Sequence, residues 1–326
     1  MGFTTRRDGV TGASEPAYLG LLRGAKSPAI GGGEMERRAA EALSRLEACN
    51  VCARGCLVNR RVGELGACHT GELARVSSYG SHFGEENPLR GWRGSGTIFF
   101  TQCNLHCQYC QNHDISQTDD GEEVEPEALA SIMLRLQAAG CHNINLVSPS
   151  HVAPQILVAV LVAAQAGLRL PLVYNTGGYD SLSTLKLLDG VVDIYMPDMK
   201  FADADVAERY SRVPNYPEVN RAAVREMHRQ VGDLQIDENG IATRGLFVRH
   251  LVLPGGFAGT ARIVQFLADE ISRATYLNIM DQYRPAYCAG AHPELNRRVS
   301  REEYQAALQM AREAGLSRLD DRIRKT

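Results

Sequence analysis

The sequence predicts an α/β fold, a partial TIM-like (β/α)6 barrel with a small cysteine-rich module ahead of it. Three observations carry this. From Gly96 onward, short apolar and often β-branched runs alternate with helical stretches, and such alternation implies parallel strands joined by crossover helices. About six of these units can be counted, too few for a closed eight-stranded barrel. Ahead of Gly96 the chain changes character: four of its nine cysteines fall between Cys49 and Cys68, in a segment with little periodicity.

The elements follow in order. Residues 1–36 read as a flexible lead-in containing the run Gly31-Gly32-Gly33, a strong local breaker. Residues 37–92 form the cysteine-rich module. A stretch of helical composition, Glu34–Ala48, enters it, and Leu73–Tyr79 alternates like a short strand. Residues 93–290 form the barrel. Its strands are expected at Thr97–Thr101, Ile144–Val147, Leu172–Asn175, Asp193–Met196, Gly245–Leu253 and Thr275–Met280, each a short apolar run. Helices are expected at Pro126–Ala139, Pro154–Ala166, Ser181–Leu188, Asp203–Tyr210 joined to Val219–Val231, and Thr260–Ser272. Residues 291–326 supply a C-terminal helix, opened by a capping box of Ser300 with Glu303 and running to about Gly315.

Composition narrows the function class. The chain has 326 residues, 44% hydrophobic and 22% charged, with 35 basic against 38 acidic groups. No basic excess points to a nucleic acid or an anionic membrane as partner. The longest apolar stretch, Val152 to Leu168, is interrupted by Pro154, Gln155 and Gln165, so it reads as a packed helix and not a bilayer span. No secretory signal is visible at the start, and the expected compartment is the cytoplasm. Structural disulfides are unusual there. Seven clustered cysteines therefore point to soft-metal or iron–sulfur ligation. Cys141 and Cys288 stand apart, and Cys141 reads as a buried core thiol.

The strongest signal is Cys103-x3-Cys107-x2-Cys110, directly after the first barrel strand. Three thiolates on a tight loop can bind three irons of a cubane [4Fe–4S] cluster. The fourth iron is then open to chelate a small molecule, and S-adenosylmethionine (SAM) is a natural chelator through its amino and carboxylate groups. Loops at strand C-termini also build the active sites of α/β barrels. The competing reading is a three-cysteine zinc site completed by His106 or His113.

At this triad the sequence resembles the radical SAM superfamily. Within it, residues from about Gly84 to Pro285 resemble the pyruvate formate-lyase activating enzyme group and its uncharacterised iron–sulfur homologues. The resemblance is carried by Gly96-Thr97-Ile98-Phe99-Phe100 with the triad and Gln111-Asn112, by Val191 to Lys200, by Val248 to Gly255 and by Asn278 to Pro285. It implies a radical SAM barrel that cleaves SAM reductively to a 5′-deoxyadenosyl radical for hydrogen abstraction. It implies a one-electron donor such as a flavodoxin or ferredoxin. It also implies roles: Tyr109 near the adenine, Asn175 and Thr176 facing the SAM amino acid or ribose, Asp198 and Lys200 lining the SAM and substrate pocket as the catalytic pair, and Arg249 contacting SAM. An unpaired arginine inside an apolar strand is costly, which favours a bound anionic group on Arg249. The superfamily's Gly-Gly-Glu turn after the second strand is replaced by Ser148-Pro149-Ser150-His151. Backbone carbonyls and the Ser148 or Ser150 hydroxyl can serve the SAM ammonium there. Ser150 also has the alternative reading of a helix N-cap before Pro154. His151 and His250 read as structural, and Tyr283 and Arg284 are candidates to face the substrate.

The four thiols Cys49-x2-Cys52-x3-Cys56-x11-Cys68 lie on a segment with too few apolar residues to build its own core, so a metal staple is expected. Zinc and a second iron–sulfur cluster both fit the ligand set. Three functions follow for the whole chain: activation of a glycyl radical enzyme; radical SAM chemistry on a small molecule or a different peptide; or a non-enzymatic iron–sulfur redox or sensor role. Fold-level likeness does not choose the substrate.

Overall fold

The structure, a computed structural model, describes residues 15–23 and 33–320. Its strands are β1 (Ala74–His82), β2 (Ser95–Phe100), β3 (Glu122–Val124), β4 (Ile144–Val147), β5 (Leu172–Thr176), β6 (Ile194–Pro197), β7 (Gln235–Ile236), β8 (Ala242–Leu251), β9 (Tyr276–Met280) and β10 (Arg318–Leu319). They form one sheet in the order β10-β9-β8-β6-β5-β4-β2-β1-β3, with β7 paired to β8 beside this path. Every pairing from β2 through β10 along this order is parallel. The β1–β2, β1–β3 and β7–β8 pairs are antiparallel. The ends of the sheet, β10 and β3, are not joined to each other, so the barrel is partial.

The six strands expected from the alternation are β2, β4, β5, β6, β8 and β9. β4, β5 and β6 are buried along nearly their whole length, as parallel strands covered on both faces must be. Alternation along each strand divides the two faces. Ile98, Leu146, Tyr174, Tyr195, Val248 and Leu277 pack outward into the main core with the crossover helices. Val173, Ile194, Phe247 and Tyr276 pack with Leu89 in a separate core. Two residues further along the same strands stand Asn175, Arg249 and Asn278. Apolar side chains thus close one end of the concave face, and polar ones lie toward the strand C-termini.

Several features differ from the sequence reading. Within the segment read as a flexible lead-in, Tyr18–Arg23 is helical. Tyr18 is fully buried and donates to the Leu170 carbonyl at 3.0 Å, while the Ala17 N–H donates to Asp193 Oδ1 at 2.8 Å. Residues 1–14 and 24–32 of that segment lie outside the described residues. The cysteine-rich stretch is joined to the barrel through β1, which runs on to His82 in the barrel's own sheet, and through a bridge between Cys52 and Asp180. After the C-terminal helix Arg301–Glu313, whose Ser300/Glu303 capping box is formed, the chain returns to the sheet as β10. Such two-residue strands carry no period-2 signal to read.

Candidate active site

The loops after β2, β4, β5 and β6 deliver Cys103, Cys107 and Cys110, then Ser148, then Gly177, then Asp198 and Lys200. With Asn175, Thr176 and Arg249 from late in their strands, they line one cavity of about 380 Å³. The triad loop is fixed by main-chain bonds to its surroundings. Gln102 turns the chain with φ +69°, its N–H meeting the Ile115 carbonyl at 3.1 Å. The His106 and Gln108 N–H groups donate to Ser211 and Tyr210 carbonyls at 3.2 and 2.7 Å.

Each triad sulfur has a polar neighbour, and Cys103 Sγ also lies 3.8 Å from Asn104 Oδ1. The Leu105 N–H donates to Cys103 Sγ at 3.4 Å, Ser211 Oγ donates to Cys107 Sγ at 2.9 Å, and Cys110 Sγ lies 3.1 Å from Ser116 Oγ. Burial pushes the Cys103 thiol up to about 12 and raises that of Cys107 as well. As bare side chains these are protonated and inert, and a metal is what converts such thiols to thiolates. Among the described residues, no three His, Cys, Asp or Glu side chains gather closely enough for one metal ion. A cubane takes its thiolates on separate irons. Both ring nitrogens of His106 are already engaged: its Nδ1 is 3.0 Å from Gln117 Oε1 and its Nε2 2.8 Å from the Ala67 carbonyl.

Asp198 and Lys200 form a part-buried ion pair, Nζ to Oδ2 at 2.6 Å. Burial works against the Lys200 charge, but the carboxylate of Asp198 outweighs it, and the ammonium is held well above its ordinary value. The Asp198 carbonyl is gripped by Asn220 Nδ2 at 2.9 Å and the Tyr216 hydroxyl at 3.0 Å. Gly178 makes that close approach feasible. It sits at φ +76°, and a Cβ there would stand 2.4 Å from the Asp198 carbonyl oxygen, a position only glycine fills without strain.

Arg249 is not the unpaired cation that its place in an apolar strand suggests. Its charge is answered within the chain: Nε donates to Glu86 Oε1 at 2.9 Å, and Nη2 contacts both Glu85 and Glu86. Burial opposes the guanidinium charge, but the two carboxylates outweigh it and hold its pKa above the ordinary arginine value. Asn278 Nδ2 adds a bond to Glu86 at 2.7 Å, and Arg249 Nη1 lies 3.5 Å from Asn175 Oδ1. The Arg249 charge therefore needs no anionic ligand to answer it, although Arg249 does line the cavity. Glu85 and Glu86 were missed because they precede the barrel. The only trace in the sequence is an acidic pair just before Asn87-Pro88.

Two further expected residues stand away from the cavity. Ser150 is buried, its hydroxyl 2.8 Å from Thr176 Oγ1, which in turn donates to Asp180 at 2.7 Å. It does not cap the following helix, whose N-cap is Val152, and Ser148 alone of the pair lines the cavity. Tyr109 packs edge-on against Phe201 and Tyr283 in a core beside Cys107. Tyr283 is buried too, donating to the Leu295 carbonyl at 2.7 Å. His250 is fully buried between the Met199 carbonyl and Thr260 Oγ1.

Comparison with known proteins adds three findings. The family described as Radical SAM superfamily matches residues 97–323. An uncharacterized protein of Methanocaldococcus jannaschii is 32% identical over 281 residues, 84% of this chain and 77% of that protein. Among solved structures, a domain of pyruvate-formate lyase-activating enzyme from Bacteroides vulgatus is 16% identical, covering 59% of this chain and 88% of that one, with a TM-score of 0.34. A radical SAM methyltransferase from Sphaerobacter thermophilus is also 16% identical, covering 68% and 64%, with a TM-score of 0.44.

Proposed function

Because this chain belongs to the radical SAM superfamily, which implies a [4Fe–4S] cluster and SAM, we propose that Cys103, Cys107 and Cys110 are the cluster ligands and that the adjoining cavity takes SAM and a substrate. The observation that carries this is three thiols from one strand-end loop, Cys107 buried and Cys103 and Cys110 half-buried, opening onto a single 380 Å³ cavity with Asn175, Asp198, Lys200 and Arg249. When bound, the group supplies reductive cleavage of SAM and a 5′-deoxyadenosyl radical that abstracts hydrogen. The chain's own part is to ligate, orient and shield. Ser211, Ser116 and the Leu105 N–H bond the three sulfurs. The Asp198–Lys200 pair offers one carboxylate and one ammonium to a ligand that carries both charges. Asn175 and Ser148 add neutral donors and acceptors.

For the hydrogen donor, the likeness to activating enzymes supports a backbone glycine of a glycyl radical enzyme, with the electron supplied by a flavodoxin or ferredoxin. A small molecule or a different peptide is the second reading. It is favoured by the cavity wall, where Glu85, Glu86 and Asp198 face Arg249 and Lys200, a pattern suited to a compact polar substrate. Cys49, Cys52, Cys56 and Cys68 are read as a separate centre, zinc or a second iron–sulfur cluster.

Anaerobic reconstitution tests the central reading. With a strong reductant, the protein is expected to turn SAM into 5′-deoxyadenosine and methionine, and about four irons should depend on the triad. Asp198→Ala should weaken SAM binding with the cluster in place. A SAM-responsive cluster signal surviving in the Cys103→Ala/Cys107→Ala/Cys110→Ala variant would sink the assignment.

A further inference from the structure

The N-terminal thiols line a place of their own. Cys49, Cys52, Cys56 and Cys68 surround a void of about 10 Å³, separate from the cavity above, with Arg60 in its wall. The backbone draws them together. The Cys49 N–H donates to the Val58 carbonyl and the Leu57 N–H to the Cys49 carbonyl, both at 2.9 Å. The Ala67 N–H donates to Cys56 Sγ at 3.4 Å. Gly66 permits this close approach of the chain, since a Cβ there would stand 2.9 Å from Cys56 Sγ.

Arg60 is the independent observation. It is 1% exposed, and its guanidinium donates to the carbonyls of Gly71 at 2.8 Å and His151 at 2.7 Å and lies 3.9 Å from Cys49 Sγ. Nη2 is buried with no partner. Its bonds therefore go to neutral groups, and a full positive charge held out of water is costly unless an anion faces it. Four neutral thiols do not provide one. Four thiolates around one dication do, because the assembly is net negative.

We propose that Cys49, Cys52, Cys56 and Cys68 hold one zinc ion as a tetrathiolate, and that Arg60 is its buried counter-cation, tying the ion to the barrel through the His151 carbonyl. This rests on reading these thiols as a metal site and is independent of the radical chemistry. The short Cys49-x2-Cys52 pair within a four-cysteine set is the ligand spacing of structural zinc sites. The thiols do not converge on a point as they stand. Closing them on an ion takes rotation about Cα–Cβ bonds between staggered wells.

The test uses the full chain carrying Cys103→Ala/Cys107→Ala/Cys110→Ala, which removes the other thiol set. Elemental analysis should find one zinc per chain, and cobalt(II) in its place should show the ligand-field and charge-transfer bands of a four-thiolate tetrahedron. Competition against a chromophoric chelator should show zinc bound roughly 10–100-fold more weakly in Arg60→Gln, with Arg60→Lys close to the parent. Parent affinity in Arg60→Gln, or equal loss in Arg60→Lys, overturns the counter-cation role and leaves the metal reading standing. Iron with labile sulfide in place of zinc overturns the ion assigned. No metal at all overturns both.

Discussion

Arg249 shows how a single residue changes meaning between sequence and structure. In the sequence it is a lone cation in an apolar strand; in the fold it is the hub of a buried network with Glu85, Glu86, Asn175 and Asn278. Removing one partner of a buried ionic network leaves the others uncompensated, at a cost of about 3–5 kcal/mol. Arg249→Gln should therefore destabilise the protein by about that much in urea unfolding, because two adjacent carboxylates lose their shared cation. Adding Glu85→Gln should restore part of the loss, since one of the stranded charges goes. An Arg249→Gln protein that unfolds at the parent midpoint would show that the network is not structural. Lys200 and Asp198 differ in kind. Their pairing is adjacent in sequence and placed by one strand end, so their position was legible without the fold.

At the scale of elements, the helix Tyr18–Arg23 is held by few contacts, each well placed. Tyr18 fills a fully buried site and bonds the chain just before β5, while Asp193 receives the N–H groups of both Ala17 and Leu172. Burial raises the Asp193 carboxyl to about 6, only partly offset by those two N–H donors. Truncating a buried aromatic to alanine costs about 3–5 kcal/mol through lost transfer energy and the cavity left behind. Tyr18→Ala should approach this range, and Tyr18→Phe should lose only about 1 kcal/mol for its hydrogen bond. Chemical unfolding of the two variants side by side is the check, and near-parent stability in Tyr18→Ala would mean the segment docks only loosely. A six-residue helix offers too little periodicity to be recognised as part of the barrel's packing.

For the molecule as a whole, the partial barrel leaves the sheet with edges to manage. β10 covers β9, and the contact is reinforced by the Asp320 N–H on the Leu277 carbonyl at 2.9 Å and by the Tyr276 hydroxyl on Asp320 Oδ2 at 3.1 Å. An apolar parallel strand left bare is a template for pairing with other chains. A chain ending at Leu316 should therefore aggregate where the full chain stays monodisperse, as read by light scattering. Equal monodispersity and an unchanged melting temperature would show that β10 is dispensable. Among the described residues, no helix is long and apolar enough to cross a membrane.

The sequence by itself determined the strand–helix order, the six barrel strands and the loop that carries Cys103, Cys107 and Cys110. These are local signals: apolar runs of strand length, a capping box, thiols a few residues apart. It also pointed to Asn175, Asp198 and Lys200 as one site, through the family resemblance of the segments that carry them. Only the tertiary structure decided what lies far apart in sequence and close in space. Glu85 and Glu86 reach Arg249 across more than 160 positions, Ser150 turns inward to Thr176 and Asp180, Tyr109 turns into a core of aromatic rings, and Arg60 is carried beneath the N-terminal thiols with its charge unanswered. Periodicity reports which face a residue occupies. Which partner waits on that face is set by chain crossings that no local pattern records.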